Sequence, residues 1–208
     1  MTVTENAAGT PERRRRMSPE QRRQQLLDIG LAMSRDMPPE EVTMEAVAEA
    51  AGVSRGLVFH YFESTHDFHL AIMRAQAADM LERTRPPEGI DDPNEAALAA
   101  IGAYVDYVEE HPAAYASVLR GALSAEAGLR EVTEATRNEV AARVISFAPA
   151  LGLTVNATVR AAVMGWIAFT EDVMIRWLTE RELSREQVLG LLTTSLLAVA
   201  GAAALVDV

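Results

Sequence analysis

At 208 residues the chain is long enough for one large domain or two small ones, with an ample core. Apolar residues make up 49% and aromatics only 5%, a balance led by alanine and leucine that favours helix throughout. There is no cysteine, and all nineteen cationic residues are arginine, which excludes a disulfide framework, a thiolate metal site, a P-loop lysine and a lysine Schiff base. The net charge of −11 speaks against a nucleic-acid partner when taken as a total. Its distribution does not: residues 1–35 hold seven Arg against four acids, whereas residues 67–208 hold eleven against twenty. The arginine-rich start is not followed by a hydrophobic signal region, and no apolar run is expected to reach the length of a membrane span uninterrupted by charge, so the expected location is cytoplasmic.

Residues 1–17 read as a disordered basic arm containing Arg13-Arg14-Arg15-Arg16. Such a run is either a solvated charge cluster or an arm that lies along phosphates or in a minor groove. Ser18-Pro19-Glu20-Gln21 is a capping box with proline at the first helical position, and it opens a helix whose inward stripe is Leu26, Leu27, Gly30 and Met33. Thr43 to Phe62, TMEAVAEAAGVSRGLVFHYF, then reads as two short helices about a tight turn. Thr43 caps the first, and Ala46, Val47, Ala50 and Ala51 give it a small apolar face. Gly52 can take the left-handed conformation that ends a helix without steric cost, Val53 plugs the corner, and Ser54 caps the second helix.

That second helix turns Leu57, Val58 and Phe62 inward and leaves Arg55, Gly56, Phe59, His60 and Tyr61 elsewhere around it. Arginine pairs bidentately with guanine, glycine lets a backbone approach closely, and tyrosine or histidine can bond a phosphate. A plain helical hairpin with Phe59 and Tyr61 as semi-buried packing has the same outline.

Further start and stop signals follow. Ser64-Thr65-His66-Asp67 opens a fourth helix to about Arg85, stopped by Pro86-Pro87 and Gly89. Asp92-Pro93-Asn94-Glu95 opens a fifth that ends before His111-Pro112, and a sixth spans Pro112 to Arg120. A seventh opens at Ser124 and ends at Pro149 and Gly152, an eighth runs from about Val155 to Glu180, and Ser184-Arg185-Glu186-Gln187 boxes a ninth. With about nine helices and no credible strand, the fold is expected to be all-α. From Val188 to Val206 there is no charged residue, and the apolar positions cover more than one face. That helix is either monomer core or packed on its own domain with one side and on a twin subunit with the other.

From about Arg22 to Met73 the sequence resembles the DNA-binding domain of the TetR (tetracycline repressor) family of bacterial transcription regulators. RRQQLLDIG, VTMEAVAEAAGVSRGLVFHYF and the following Glu63-Ser64 carry the resemblance. It departs from the family in three places. The first helix turns to the second through Asp36-Met37-Pro38-Pro39-Glu40 instead of a glycine, Met33 stands where a phenylalanine is common, and Thr65-His66 follows Ser64 where a phosphate-gripping lysine is usual. Losing one cationic contact lowers affinity and flattens its salt dependence by about one unit of slope.

The resemblance implies three parts: an arm at 1–17, a three-helix helix-turn-helix domain at 18–66, and a ligand-binding and dimerisation domain at 67–208. The DNA-contacting residues are then Thr43, Ser54, Arg55, Gly56, Leu57, Phe59, His60, Tyr61 and Thr65. A small-molecule cavity is implied among helices four to eight, with candidate lining residues Met73, Met80, Tyr104, Tyr107, Tyr115, Leu119, Trp166, Phe169, Glu171 and Trp177. Aromatic stripes at this spacing serve equally as core. Glu171 and Asp172, inside an apolar helix, could meet a cationic ligand, water or a partner's arginine.

The implied function is a ligand-responsive regulator, a repressor of a near-palindromic double-stranded DNA operator. It would bind as a homodimer through its last two helices and be released by a small hydrophobic effector, with no cofactor, metal or membrane involved. The alternative is a helical dimeric interaction or sensor module with weakened DNA binding. An enzyme is not expected: no phosphate loop, nucleophile elbow or His-Glu-x-x-His occurs. His66 and His69 lie one helical turn apart and could share a metal with Asp67 or Glu63, but there is no cysteine or third spaced histidine to complete such a site.

Overall fold

The computed structural model describes residues 17–35, 37–90, 92–121 and 126–206. The arm at 1–16, Asp36 and the expected helix start at Ser124 lie outside these residues. Nine α-helices and no strand occur among the described residues: α1 (Pro19–Met33), α2 (Met44–Ala51), α3 (Arg55–Tyr61), α4 (Thr65–Arg83), α5 (Pro93–Glu110), α6 (Pro112–Arg120), α7 (Ala127–Ser146), α8 (Ala157–Glu180) and α9 (Arg185–Val206). The fold is all-α.

Local chemistry sets most of the boundaries. Ser18 and Gln21 form the reciprocal capping box of α1. Thr43, Ser54, Ser64, Asp92 and Asn156 each accept a backbone N–H at the start of their helices, contacts worth about 1 kcal/mol apiece. Ser184 and Gln187 bond each other's backbone N–H at the start of α9. Gly52 ends α2 at φ 64°, in the left-handed region where a Cβ would be strained.

Two cores result. The first gathers Leu26 and Leu27 of α1, Met44, Val47 and Ala48 of α2, Val58 of α3, Phe62, and Phe68 and Ile72 of α4. The inner face of α2 is therefore Met44, Val47 and Ala48, and Ala50 is exposed. The second core packs Ile101, Val105 and Val108 of α5 on Trp166, Ile167, Met174 and Trp177 of α8 and on Val188 and Leu192 of α9. Helix α4 belongs to both regions. Its first turns sit under the N-terminal head, and its middle faces the larger bundle.

Where α1 crosses α4 the helices touch. A Cβ at Gly30 would lie 2.7 Å from Phe68 Cζ and 3.0 Å from Ile72 Cδ1, so glycine is what lets the α1 backbone rest on these two side chains. Three more ties join head and bundle. His69 Nε2 donates to the Val42 carbonyl at 3.0 Å, Gln76 Nε2 donates to Ser34 Oγ at 2.8 Å, and the Ser117 hydroxyl donates to the Glu40 carboxylate.

Helix α9 corrects one expectation. At 22 residues it is long and apolar enough, by length and composition, to cross a membrane. In this fold it lies along α8, and the Trp166 Nε1 of α8 donates to the Leu192 carbonyl at 3.2 Å and to Ser195 Oγ at 3.1 Å.

Candidate nucleic-acid interface and ligand cavity

Helix α3 is two turns long and is held by one side. Val58 and Phe62 are fully buried, and the Phe62 ring meets Phe68 edge-on with centroids 4.9 Å apart. Arg55, Gly56, Phe59 and His60 are exposed together, while Leu57 and Tyr61 are half-buried. Phe59 is 38% exposed, with the Arg55 guanidinium 5.1 Å from its ring centroid. Gly56 costs about 1 kcal/mol in a helix relative to alanine, yet a Cβ there would meet nothing nearer than Ser54 Oγ at 4.0 Å. No packing among the described residues calls for that glycine.

The flanking residues are occupied locally. Thr43 Oγ1 accepts from the Ala46 N–H at 3.1 Å, and Ser54 Oγ accepts from the Leu57 N–H at 3.3 Å. Thr65 is exposed, with its hydroxyl directed at the Met44 sulfur 3.7 Å away. His66 Nδ1 faces the Glu126 carboxylate at 2.6 Å, so the two histidines of α4 serve separate partners. Among the described residues no group of three or more acids and histidines could hold a metal ion.

In the bundle a cavity of about 250 Å³ opens beside α4, close to the ~300 Å³ at which small-molecule sites begin. Met73, Met80, Tyr104, Tyr107, Tyr115, Leu119, Trp166 and Glu171 line it. Phe169 and Trp177 do not. Phe169 is 39% exposed on the far side of α8, and Trp177 is buried in the α5–α8–α9 core with its Nε1 donating to the Leu183 carbonyl at 2.8 Å. Helical spacing put them with Trp166, but α8 presents different neighbours along its length. Sequence reasoning missed Gln76, Arg137 and Thr170, and also the α9 residues Leu196, Ala200 and Ala203, all of which line the cavity. The sequence held no clear signal for Gln76 or Thr170, because Arg74 and Asp79 stand within three residues of the one and Glu171 and Asp172 directly follow the other.

The polar part of the wall is self-paired. Arg137 Nε and Nη2 meet the two Glu171 oxygens at 2.9 and 2.7 Å, the bidentate geometry of a strong pair. Hydrogen bonding to Glu171 raises the Arg137 pKa further. Asp172 turns away from the cavity to bond Arg120 and Arg176. The Tyr104 and Tyr115 hydroxyls bond each other, and burial pushes both above the ordinary tyrosine range. The Tyr107 hydroxyl donates to the Gln76 carbonyl at 3.0 Å, and burial pushes it up to about 12.

Residues 26–72 match the family model of bacterial regulatory proteins of the tetR family, and residues 93–199 match that of the tetracyclin repressor-like C-terminal domain. The chain belongs to the TetR family. A tetR-family transcriptional regulator from Streptomyces coelicolor has the same fold with a TM-score of 0.81 and 27% identity, over 92% of this chain and 85% of that one. A TetR-like regulator from Rhodococcus sp. RHA1 aligns with a TM-score of 0.65 at 20% identity, over 89% of this chain and 100% of that one. FadR from Bacillus subtilis, solved in complex with stearoyl-CoA, aligns with a TM-score of 0.63 at 14% identity, over 85% of this chain and 97% of that one. No curated protein matches the chain in sequence. As a TetR-family transcriptional regulator, the protein pairs a helix-turn-helix head with a ligand-binding bundle.

Proposed function

We propose that this TetR-family regulator is a repressor, working in the cytoplasm as a homodimer on a near-palindromic operator and released by a small hydrophobic effector. One observation carries the reading: α3 offers Arg55, Gly56, Phe59 and His60 together to solvent while Val58 and Phe62 fix its other side. A major groove admits such a helix, and arginine there reads guanine. Thr43, Ser54, Leu57, Tyr61 and Thr65 flank it as further contacts.

One head reads few bases, so two heads about 34–36 Å apart are needed for a palindromic site. The partner surface is the outer side of α8 and α9. Ala161, Gly165, Ala168 and Phe169 on α8 and Leu191, Thr194 and Gly201 on α9 are exposed, a strip too apolar to leave in water. The effector site is the cavity against α4, whose wall suits an apolar molecule; a FadR of the same fold, from Bacillus subtilis, was solved with stearoyl-CoA. Occupancy that favours one tilt of α4 would change head separation and weaken DNA binding, typically by about 1–3 kcal/mol of coupling.

The test is a fluorescence anisotropy titration on the intergenic DNA upstream of the chain's own gene at two salt concentrations. Saturable, salt-dependent binding with two chains per site is expected. The second reading, a sensor module with weakened DNA binding, draws on the −11 net charge and on the Glu45–Arg55 ion pair. Binding indistinguishable from that to unrelated DNA would favour it.

A further inference from the structure

Gln76 sits where the cavity and the head meet. It lines the cavity and is 7% exposed. Its Nε2 donates to Ser34 Oγ, and Ser34 is the fully buried C-cap of α1. The Ser34 hydroxyl spends its proton on the Leu31 carbonyl at 2.8 Å, so its oxygen can only accept from Gln76. That requirement fixes which end of the amide faces α1.

The other end, Oε1, is buried and has no hydrogen-bond partner among the described residues. Across the cavity wall, Thr170 of α8 is 5% exposed, and its hydroxyl oxygen is likewise without a partner. Buried polar atoms are nearly always paired. Two unpaired ones on residues that line the same cavity point to where a bound molecule makes its polar contacts.

The chemistry of Oε1 limits that molecule. An amide oxygen only accepts, so the ligand must donate, which a carboxylate cannot do. An ammonium ligand would seek an acid, but Glu171, the acid of the wall, is already engaged by Arg137 through two bonds. A neutral hydroxyl or amide N–H remains. We infer that the cavity takes a neutral, mostly apolar molecule whose hydroxyl or amide N–H donates to Gln76 Oε1, and that Gln76 relays the contact through Ser34 to α1. The inference rests on the cavity being the effector site. A donor at Oε1 polarises the amide and strengthens its bond to Ser34, and it also holds the side chain in one rotamer. The last turn of α1 is then fastened more firmly to α4.

Octan-1-ol and its isomer 1-methoxyheptane test this on the full chain, since they share a formula and differ in owning an O–H. Titration followed by the fluorescence of Trp166, a wall residue, should show the alcohol binding about tenfold tighter than the ether, the loss expected from leaving a buried acceptor unpaired. In Gln76→Leu the two should bind alike. Hydrogen exchange at residues 30–35 should slow on adding octan-1-ol to the native chain. In Ser34→Ala it should not, although the alcohol still binds within about twofold of native.

Equal affinity for alcohol and ether, or no binding of either, overturns the ligand class. Slowed exchange in Ser34→Ala overturns the relay. Should Gln76→Leu fail to fold, the isomer pair on the native chain and the Ser34→Ala exchange still decide. Neither readout involves DNA, so a chain that behaves as expected here yet keeps its DNA would sink the repressor reading alone.

Discussion

The Glu45 carboxylate of α2 lies 2.8 Å from Nε of Arg55 on α3, so the one arginine of the proposed recognition helix is held by an acid of the helix before it. The Arg55 guanidinium also stacks over the Phe59 ring, 5.1 Å from its centroid. Both partners of the pair are more than half exposed, which limits its worth to stability to about 0–1 kcal/mol. A larger effect is expected on DNA binding, because Arg55 brings a negative charge with it. Glu45→Gln should tighten binding and steepen the salt dependence by about one unit of slope. The check is anisotropy at several salt concentrations, with thermal melting unchanged; an unaltered slope would mean that Glu45 stands clear of the phosphates.

Thr65 occupies the place where the family usually carries a lysine, and its hydroxyl meets only a methionine sulfur at 3.7 Å. Thr65→Lys should therefore leave the melting temperature alone and add one phosphate contact. The same salt series should report a gain of about one unit of slope. Arg55→Ala is the contrasting variant, expected to cost about 1–3 kcal/mol and to relax sequence preference.

The Gly30 crossing predicts a loss of stability. Gly30→Ala gains about 1 kcal/mol of helix propensity but sets a methyl 2.7 Å from the Cζ of a fully buried phenylalanine. Overpacking of this kind costs about 1–3 kcal/mol. Chemical denaturation should show a net decrease, and an increase would show that Phe68 can move aside.

Alkaline pH should unfold the bundle early. Burial raises Tyr107 from 10 to about 12, with Asp79 adding to the rise and Arg83 opposing it, and Tyr104 and Tyr115 shift the same way. For an acid whose pKa is raised on folding, the stabilisation is complete below the unfolded value and is lost as pH climbs through the folded one. Melting temperature should therefore hold up to about pH 10 and fall steadily toward pH 12, with about 3 kcal/mol at stake from Tyr107 alone. In Tyr107→Phe the fall should be shallower, from a lower plateau because the bond to the Gln76 carbonyl is gone.

Phe169 and Leu191 project from the outer sides of α8 and α9, are 39% and 40% exposed, and line no cavity. Charging that strip with Phe169→Glu and Leu191→Glu together should yield monomers by analytical ultracentrifugation with helical circular dichroism unchanged. Operator affinity should fall with the dimer. A double variant that stays dimeric would place the subunit contact elsewhere.

What could be read from the sequence was local. Ser18, Thr43, Ser64, Asp92 and Ser184 announce helix starts because a cap acts within three residues, and Gly52 announces a turn because only φ is at issue. The inner side of α2 was less legible: Ala46 and Ala50 have the same spacing from one another as Met44 and Ala48, and only the positions of α1 and α4 choose between them. The cavity divides along the same line. The tyrosines and Trp166 stand out as large residues on apolar faces, whereas Phe169 shares that spacing and points outward. Arg137 was hidden because its partner, Glu171, is 34 residues away, and nothing periodic connects them.

The contact at Gly30 has a mechanical consequence. At that point the α1 backbone rests directly on the Phe68 ring and the end of Ile72, both fully buried side chains of α4. A small tilt given to α4 at the cavity end therefore reaches the head undamped. On the proposed release mechanism the head would turn with α4 like a crank fixed to its shaft.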